Sequence, residues 1–294
     1  MCARTTKAHA VPQTSVDHHV AAGGAELTGG RSDRSAVVVG VDGSATSLNA
    51  VRWAAYIADA MHEPLVIASA PRRHEAADRT AQHAAALVRR CAPQLPVSTE
   101  ILSVPAGSAL VSRSERALML VVGAQTAWDA RLIGPTTMEV ARHAHCPVAV
   151  WRGTAGRPIP SRKPIAVGVD GTALSTTALD LGFELAAAFR VPLRAVHCWP
   201  PDRIEPVGRV GDRTDAERAV LAAALVPHRA SHPEVDVADM AIPGVPGTVL
   251  AQLGRDAQLL VVGTRARDTA TAALFGSTSR HLLHHAPCPV LLCR

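Results

Sequence analysis

The stretch VVVGVDGSATS, Val37 to Ser47, returns 128 residues later as IAVGVDGTALS, Ile165 to Ser175. Each copy is a β-branched apolar run of the length of a buried strand, stopped by an Asp-Gly pair and followed by a segment rich in hydroxyls and small residues. Two strand-ending turns of the same wording imply two copies of one domain.

Outward from these turns, short β-branched runs alternate with helix-like segments, the pattern of a parallel sheet covered by helices. The first half places strands near residues 36–41, 64–70, 97–102, 118–122 and 147–151, and the second near 165–169, 191–198, 235–242, 259–262 and 289–293. Ala178, Leu181, Leu185 and Ala188 follow Ser175 at helical spacing, and Val51, Ala55 and Ala58 follow Ser47, so both serines are read as helix N-caps.

The repeat runs to the end of each half. Leu120-Val121-Val122-Gly123 matches Leu260-Val261-Val262-Gly263 at a separation of 140, and His143-Ala144-His145-Cys146-Pro147-Val148 matches His285-Ala286-Pro287-Cys288-Pro289-Val290 at 142. The rise from 128 to 140 gives the second half 12 additional residues, assigned to the stretch Pro200 to Gly211; the rise to 142 shortens the first half by two between the later blocks. Residues 1–33 contain no apolar signal-peptide core and read as a disordered tail before a first domain at 34–152. The segment GTAGRPIPSRK, Gly153 to Lys163, reads as a linker to a second domain at 164–294.

Composition excludes several function classes. The chain is 48% apolar and 19% charged, and no run approaches the roughly 18 apolar residues that span a bilayer. Cys2, Cys91, Cys146, Cys198, Cys288 and Cys293 form no C-x-x-C pair, which argues against a disulfide framework or zinc ribbon and for a reducing cytoplasm. A net charge of +5 without a basic block, with only four Trp, one Tyr and three Phe, predicts neither nucleic acid nor membrane as a partner. Of the 30 cationic residues 28 are arginine; Lys7 lies in the tail and Lys163 in the linker, so neither domain offers a P-loop or Schiff-base lysine.

The most informative segment lies late in the second half. Gly263-Thr264-Arg265-Ala266 leaves a buried strand, nine residues follow, and Gly276-Ser277-Thr278-Ser279 opens the last helix. Glycines let backbone amides approach an anion, and a helix N-terminus offers N–H groups and a positive dipole to phosphate. Asp170, at the carboxyl end of the first strand of that half, belongs to the same sheet edge at the switch point where open parallel sheets bind ligands. Its carboxylate suits ribose hydroxyls.

From about residue 35 to 294 the sequence resembles a tandem universal stress protein. The family pattern is G-2x-G-9x-G-(S/T), preceded by the first-strand aspartate and followed by a helix ending in H-A-x-C-P-V. The second half keeps Gly263, the nine-residue spacing and Gly276-Ser277, with Ala266 at the middle glycine; Gly244-Val245-Pro246 and Leu250 resemble the G-x-P-x-x-x-L segment. The resemblance implies an α/β fold of two tandem, doubly wound, five-stranded parallel sheets, flavodoxin-like or HUP type, of order 3-2-1-4-5. It implies ATP, with or without Mg2+, at Asp170, Gly171, Thr172, Cys198, Gly263, Arg265, Gly276, Ser277, Thr278 and Ser279.

The matching first-half positions are Asp42, Gly43, Ser44, Ala70, Gly123, Gly134 and Thr136, and they read as a weaker site. Thr126 replaces the middle glycine, only seven residues precede Gly134, and Pro135 removes an N–H donor. Val104-Pro105-Ala106-Gly107 does not reproduce G-x-P either.

The function implied is an ATP-binding regulatory protein of the stress response, with no catalytic residue and an unidentified regulatory partner. The alternatives are a ligand-free scaffold acting through dimerisation and, ranked lowest, a slow ATP hydrolase. The closing strands Val148 to Trp151 and Val290 to Cys293 are apolar edges in the implied order, which predicts pairing within one chain as a pseudo-dimer or between chains as a homodimer. His281, His284, His285 and Cys288 read as a surface cluster, not a metal site, because His281 and His284 match Glu139 and Arg142 in the first half. Cys146 and Cys288, at strand entries, read as buried small side chains.

Overall fold

Strands and helices alternate through the residues described by the computed structural model, which are 35–69, 74–102, 105–124, 133–152, 162–200, 210–264 and 276–294. The first half contains β1 (Val37–Val41), α1 (Ala45–Ala60), β2 (Leu65–Ser69), α2 (His74–Cys91), β3 (Val97–Ile101), α3 (Ala106–Arg113), β4 (Met119–Gly123), α4 (Pro135–His143) and β5 (Val148–Trp151). The second repeats the series as β6 (Ile165–Val169), α5 (Ala173–Phe189), β7 (Leu193–Trp199), α6 (Val210–Ser231), β8 (Val237–Pro243), α7 (Pro246–Leu253), β9 (Leu259–Gly263), α8 (Ser277–His285) and β10 (Val290–Cys293).

Within each half the order is 3-2-1-4-5 and every pair is parallel. The two sheets are continuous. β5 and β10 pair antiparallel, with Val150 opposite Val290, Ala149 opposite Leu291 and Val148 opposite Leu292. Each of these strands is only four residues long and wholly buried, so the pairing satisfies a row of backbone donors and acceptors that an apolar edge would otherwise leave open.

Alternate strand residues feed two cores. Val37, Val39 and Val41 face the layer of α1, α2, α5 and α6, whereas Val38, Val66 and Ala166 face α3, α4, α7 and α8. The added length of the second half is partly helical, since α6 has 22 residues where α2 has 18. Among the described residues no helix is long and apolar enough to cross a membrane.

The helix starts lie three residues ahead of the serines read as caps. Ser44 is the N-cap of α1 and accepts from the Ser47 amide, while Thr172 is the N-cap of α5. Ser47 and Ser175 sit in the first turn, and each hydroxyl donates back to the cap carbonyl. Helical periodicity locates a helix face but not its first turn.

Candidate functional site

Each glycine and aspartate of the repeated G-V-D-G has a structural cause. Gly40 and Gly168 leave room for the facing helices: a Cβ there would lie 2.9 Å from Leu110 Cδ1 and 3.0 Å from Leu250 Cδ1. Gly43 and Gly171 take left-handed φ values of 82° and 76°, which a side chain disfavours. The aspartates organise the turn between them. Asp42 Oδ1 accepts from the Ser44 amide at 2.9 Å, and Asp170 Oδ1 accepts from the Thr172 amide at 3.0 Å and hydroxyl at 2.6 Å.

Asp170 is nevertheless exposed at a chemically open place. β6 lies between β7 and β9, with Gly168 opposite Val262, so the chain leaves β6 toward one side and β9 borders it on the other. The carboxyl ends of β6 and β9 therefore form the crevice of a topological switch point. Partial burial acts to raise the Asp170 pKa, but the hydrogen bonds from Thr172 and Ser175 outweigh it and hold the carboxyl below its ordinary value. Asp42 is lowered in the same way, with burial opposed by bonds from Ser44 and Ser47.

The other side of the crevice is the start of α8. Its N-cap Gly276 has no side-chain capping bond, and among the described residues nothing lies within 4 Å of where its Cβ would be. That glycine answers no packing demand of the described residues. Gly263 does: a Cβ there would lie 2.7 Å from the Leu174 carbonyl oxygen, so the end of β9 must be bare for α5 to seat. Ser277 is exposed and Thr278 half-buried, whereas Ser279 is buried and its hydroxyl donates to the Gly263 carbonyl at 3.4 Å. Ser279 thus ties α8 to β9.

The first-half equivalent is fastened more fully. Thr137 Oγ1 donates to the Gly123 carbonyl at 2.7 Å, the buried Gly134 donates its amide to Ala124 at 3.1 Å, and Pro135 occupies the first position of α4. Thr136 is half-buried beside it. Cys198 lies half-buried on β7 in the second half, its thiol pushed up to about 11 by burial. Arg265 and Ala70, with the middle positions Ala266 and Thr126, lie outside the described residues.

The remaining candidates separate from the crevice. Lys163 donates to the Arg255 carbonyl at 2.6 Å at the opposite end of β6. His281 and His285 bring their rings to 4.5 Å on α8, and burial together with the neighbouring imidazole lowers the His281 pKa. Among the described residues no group of three or more His, Cys, Asp or Glu is arranged to hold a metal ion. Cys146 and Cys288 are buried. Two features escaped the sequence reading: a pair of the buried His197 with the half-buried Glu217 beside the Asp170 turn, and an arginine at the end of each half. The signal for the first was its asymmetry, because His197 and Glu217 match Ser69 and Ala77.

The family model described as "Universal stress protein family" matches residues 67–152 and again 161–294. The chain belongs to the universal stress protein family. Its two matches mark tandem universal stress protein domains. A universal stress protein of Mycobacterium tuberculosis is 30% identical over 287 residues, covering 88% of this chain and 96% of the relative. One from Mycolicibacterium smegmatis is 31% identical over 283 residues with the same coverage. A solved structure of a putative universal stress protein from Pseudomonas aeruginosa superposes with a TM-score of 0.64 at 19% identity over 88% of this chain and 92% of that one. Another, from Archaeoglobus fulgidus, gives 0.59 at 14% identity over 88% and 98%. These two likenesses are likenesses of fold.

Proposed function

We propose that this universal stress protein is a regulatory binding protein whose second domain, residues 164–294, holds an adenine nucleotide, with ATP the preferred form. The observation that carries the reading is Gly276: a glycine at a helix start that no atom of the described residues requires, on the same sheet edge as an exposed, ionised Asp170. A bare helix N-terminus suits phosphate and a carboxylate suits ribose hydroxyls, so the residues present fit a nucleotide. In this reading Asp170 orients the ribose, with the Thr172 bonds fixing its rotamer, and the amides opening α8, with the Ser277 hydroxyl, donate to phosphate oxygens. Arg265 supplies a countercharge. Bound ATP brings a polyanion, with Mg2+ as its accompanying ion where present.

The first domain, residues 34–152, is the poorer binder, because Pro135 removes a donor and Gly134 is already bonded and buried. One nucleotide per chain follows. The largely buried cysteines among the described residues suit a reducing cytoplasm. Mass spectrometry of small molecules released from the purified full chain, followed by titration calorimetry with ATP, tests the proposal. It stands on about one adenine nucleotide per chain and falls if no nucleotide is released and none binds.

A further inference from the structure

His197 sits on β7 with 6% of its surface exposed, and both ring nitrogens face oxygen atoms. Nδ1 lies 2.8 Å from the Val169 carbonyl and Nε2 lies 2.8 Å from Glu217 Oε2 on α6. A carbonyl only accepts, so Nδ1 carries a hydrogen. A neutral imidazole then has a lone pair at Nε2, and an ionised carboxylate has one at Oε2. Two lone pairs at that distance repel. The contact therefore holds one proton more than a neutral histidine and an ionised glutamate carry between them.

We propose that His197, through this held proton, is a positioning residue for the Asp170 turn, and the proposal rests on the nucleotide reading of the crevice. Val169 immediately precedes Asp170, so the bond to its carbonyl fixes where β6 ends and the turn begins. The same imidazole fastens α6, and α6 covers that turn: a Cβ on Gly171 would lie 3.3 Å from Val220 Cγ1. The groups around the imidazole are Glu217 and Arg213 on α6, with Arg213 Nε 3.8 Å from Glu217 Oε1, and the stacked Trp199 on β7; Asp170 follows Val169 in the chain, and Cys198 packs on the opposite face of β7. Ala241, opposite His197 on β8, adds no charge.

The latch belongs to the second half alone, where Ser69 and Ala77 occupy the corresponding first-half positions. α6 carries a second pair of the same geometry, His228 with Nδ1 3.0 Å from the Ala224 carbonyl and Nε2 2.9 Å from Asp180 Oδ1, but that pair joins α6 to α5 away from the turn. It serves as a control.

Because the positioned state holds one proton more than the separated partners, acid favours positioning and base weakens it. The experiment measures amide hydrogen exchange at residues 169–172 and ATP affinity in the full chain from about pH 5 to about pH 9. Wild-type protein loses protection and about tenfold in affinity across the range, the scale of one hydrogen bond to a charged group. In Glu217→Gln the amide donates to a neutral imidazole, so the contact survives without the extra proton and both profiles become flat. Glu217→Ala removes protection throughout, and Asp180→Asn keeps the wild-type profile. A Glu217→Gln profile that follows wild type, or a flat wild-type profile, overturns the latch. A chain that binds no ATP yet shows the predicted exchange profiles overturns the nucleotide reading and leaves the positioning of the turn intact.

Discussion

Arg152 and Arg294, 142 residues apart, each bind the final helix of the other half. Arg152 follows β5 and donates through Nε to the Ala286 carbonyl at 3.0 Å, through Nη2 to His284 at 3.2 Å, and through Nη1 to Leu283, at the end of α8. Arg294 follows β10 and donates to the Ala141 carbonyl in the last turn of α4. Carbonyls at a helix C-terminus lack intrahelical partners and carry the negative end of the dipole, so a guanidinium there satisfies both needs. Burial lowers the Arg152 pKa, with the Cys288 thiol acting in the opposite sense, but guanidinium remains charged in any protein setting.

This reciprocal capping locks the antiparallel β5–β10 seam with side chains as well as backbone. Arg152→Ala should destabilise the chain by about 2 to 3 kcal/mol, the range of a few charge-assisted bonds lost at a partly buried site. Arg152→Lys should restore less than half of that, since an ammonium does not span three carbonyls. Urea unfolding at neutral pH measures both, and an Arg152→Ala midpoint equal to wild type would remove the seam's side-chain component.

Two glycines at one sheet edge should answer substitution oppositely. Gly263→Ala places a Cβ 2.7 Å from the Leu174 backbone oxygen and should cost about 1 to 3 kcal/mol by overpacking. Gly276→Asp meets open space at a helix N-cap, a position that favours aspartate, so melting temperature should hold or rise. The same change sets a negative charge where phosphate is proposed to bind. ATP affinity should fall by more than about tenfold, equivalent to about 1.4 kcal/mol. Calorimetric binding and thermal melts on the same sample check the pair, and unchanged ATP affinity in Gly276→Asp would count against a phosphate site at α8.

The inner strands β1, β2, β4, β6 and β9 were legible because buried parallel strands need continuous apolar runs, whereas the outer β3 and β8 carry polar residues such as Glu100 and Asp239. The 12-residue excess was legible as an offset, although only the structure turns part of it into extra length on α6. What G-V-D-G does was less legible. The reason for Gly40 is Leu110, and the reason for Gly168 is Leu250, contacts that no local pattern announces. His197 was hard to read for a related reason: its partners lie 28 and 20 residues away, and its one sequence signal is the mismatch with Ser69 in the first half.

Cysteine reactivity follows burial. The Cys198 thiol is pushed up to about 11, and those of Cys288 and Cys293 to about 12, in each case chiefly by burial. The thiolate is the reactive form, so these three should resist iodoacetamide at about pH 8. Cys91, exposed at the end of α2, should be modified first among the cysteines of the described residues. Intact-chain mass spectrometry followed by peptide mapping reads the order. Modification of Cys198 as fast as Cys91 would show a more open crevice than the structure has.

The sharpest test sets Asp170 against Asp42. Both end a first strand, both receive an amide bond from the residue two positions on, and both are exposed, so a purely structural role predicts similar losses from either alanine variant. A nucleotide site in the second domain predicts otherwise. Asp170→Ala should weaken ATP binding by about 10- to 150-fold, corresponding to the roughly 1.5 to 3 kcal/mol of a hydrogen bond to a charged group, while Asp42→Ala changes it little. Asp170→Asn keeps an oxygen to accept from the Thr172 amide and should fall between them. The carboxyl is held below its ordinary pKa of 3.8, so its part in binding should be fully present above that value and lost only as pH falls through the lower, folded-state value. Affinity measured from neutral pH down to about pH 5 should therefore show no loss that depends on Asp170. Equal effects of the two alanine variants, or a larger effect of Asp42→Ala, would move the working site out of the second domain.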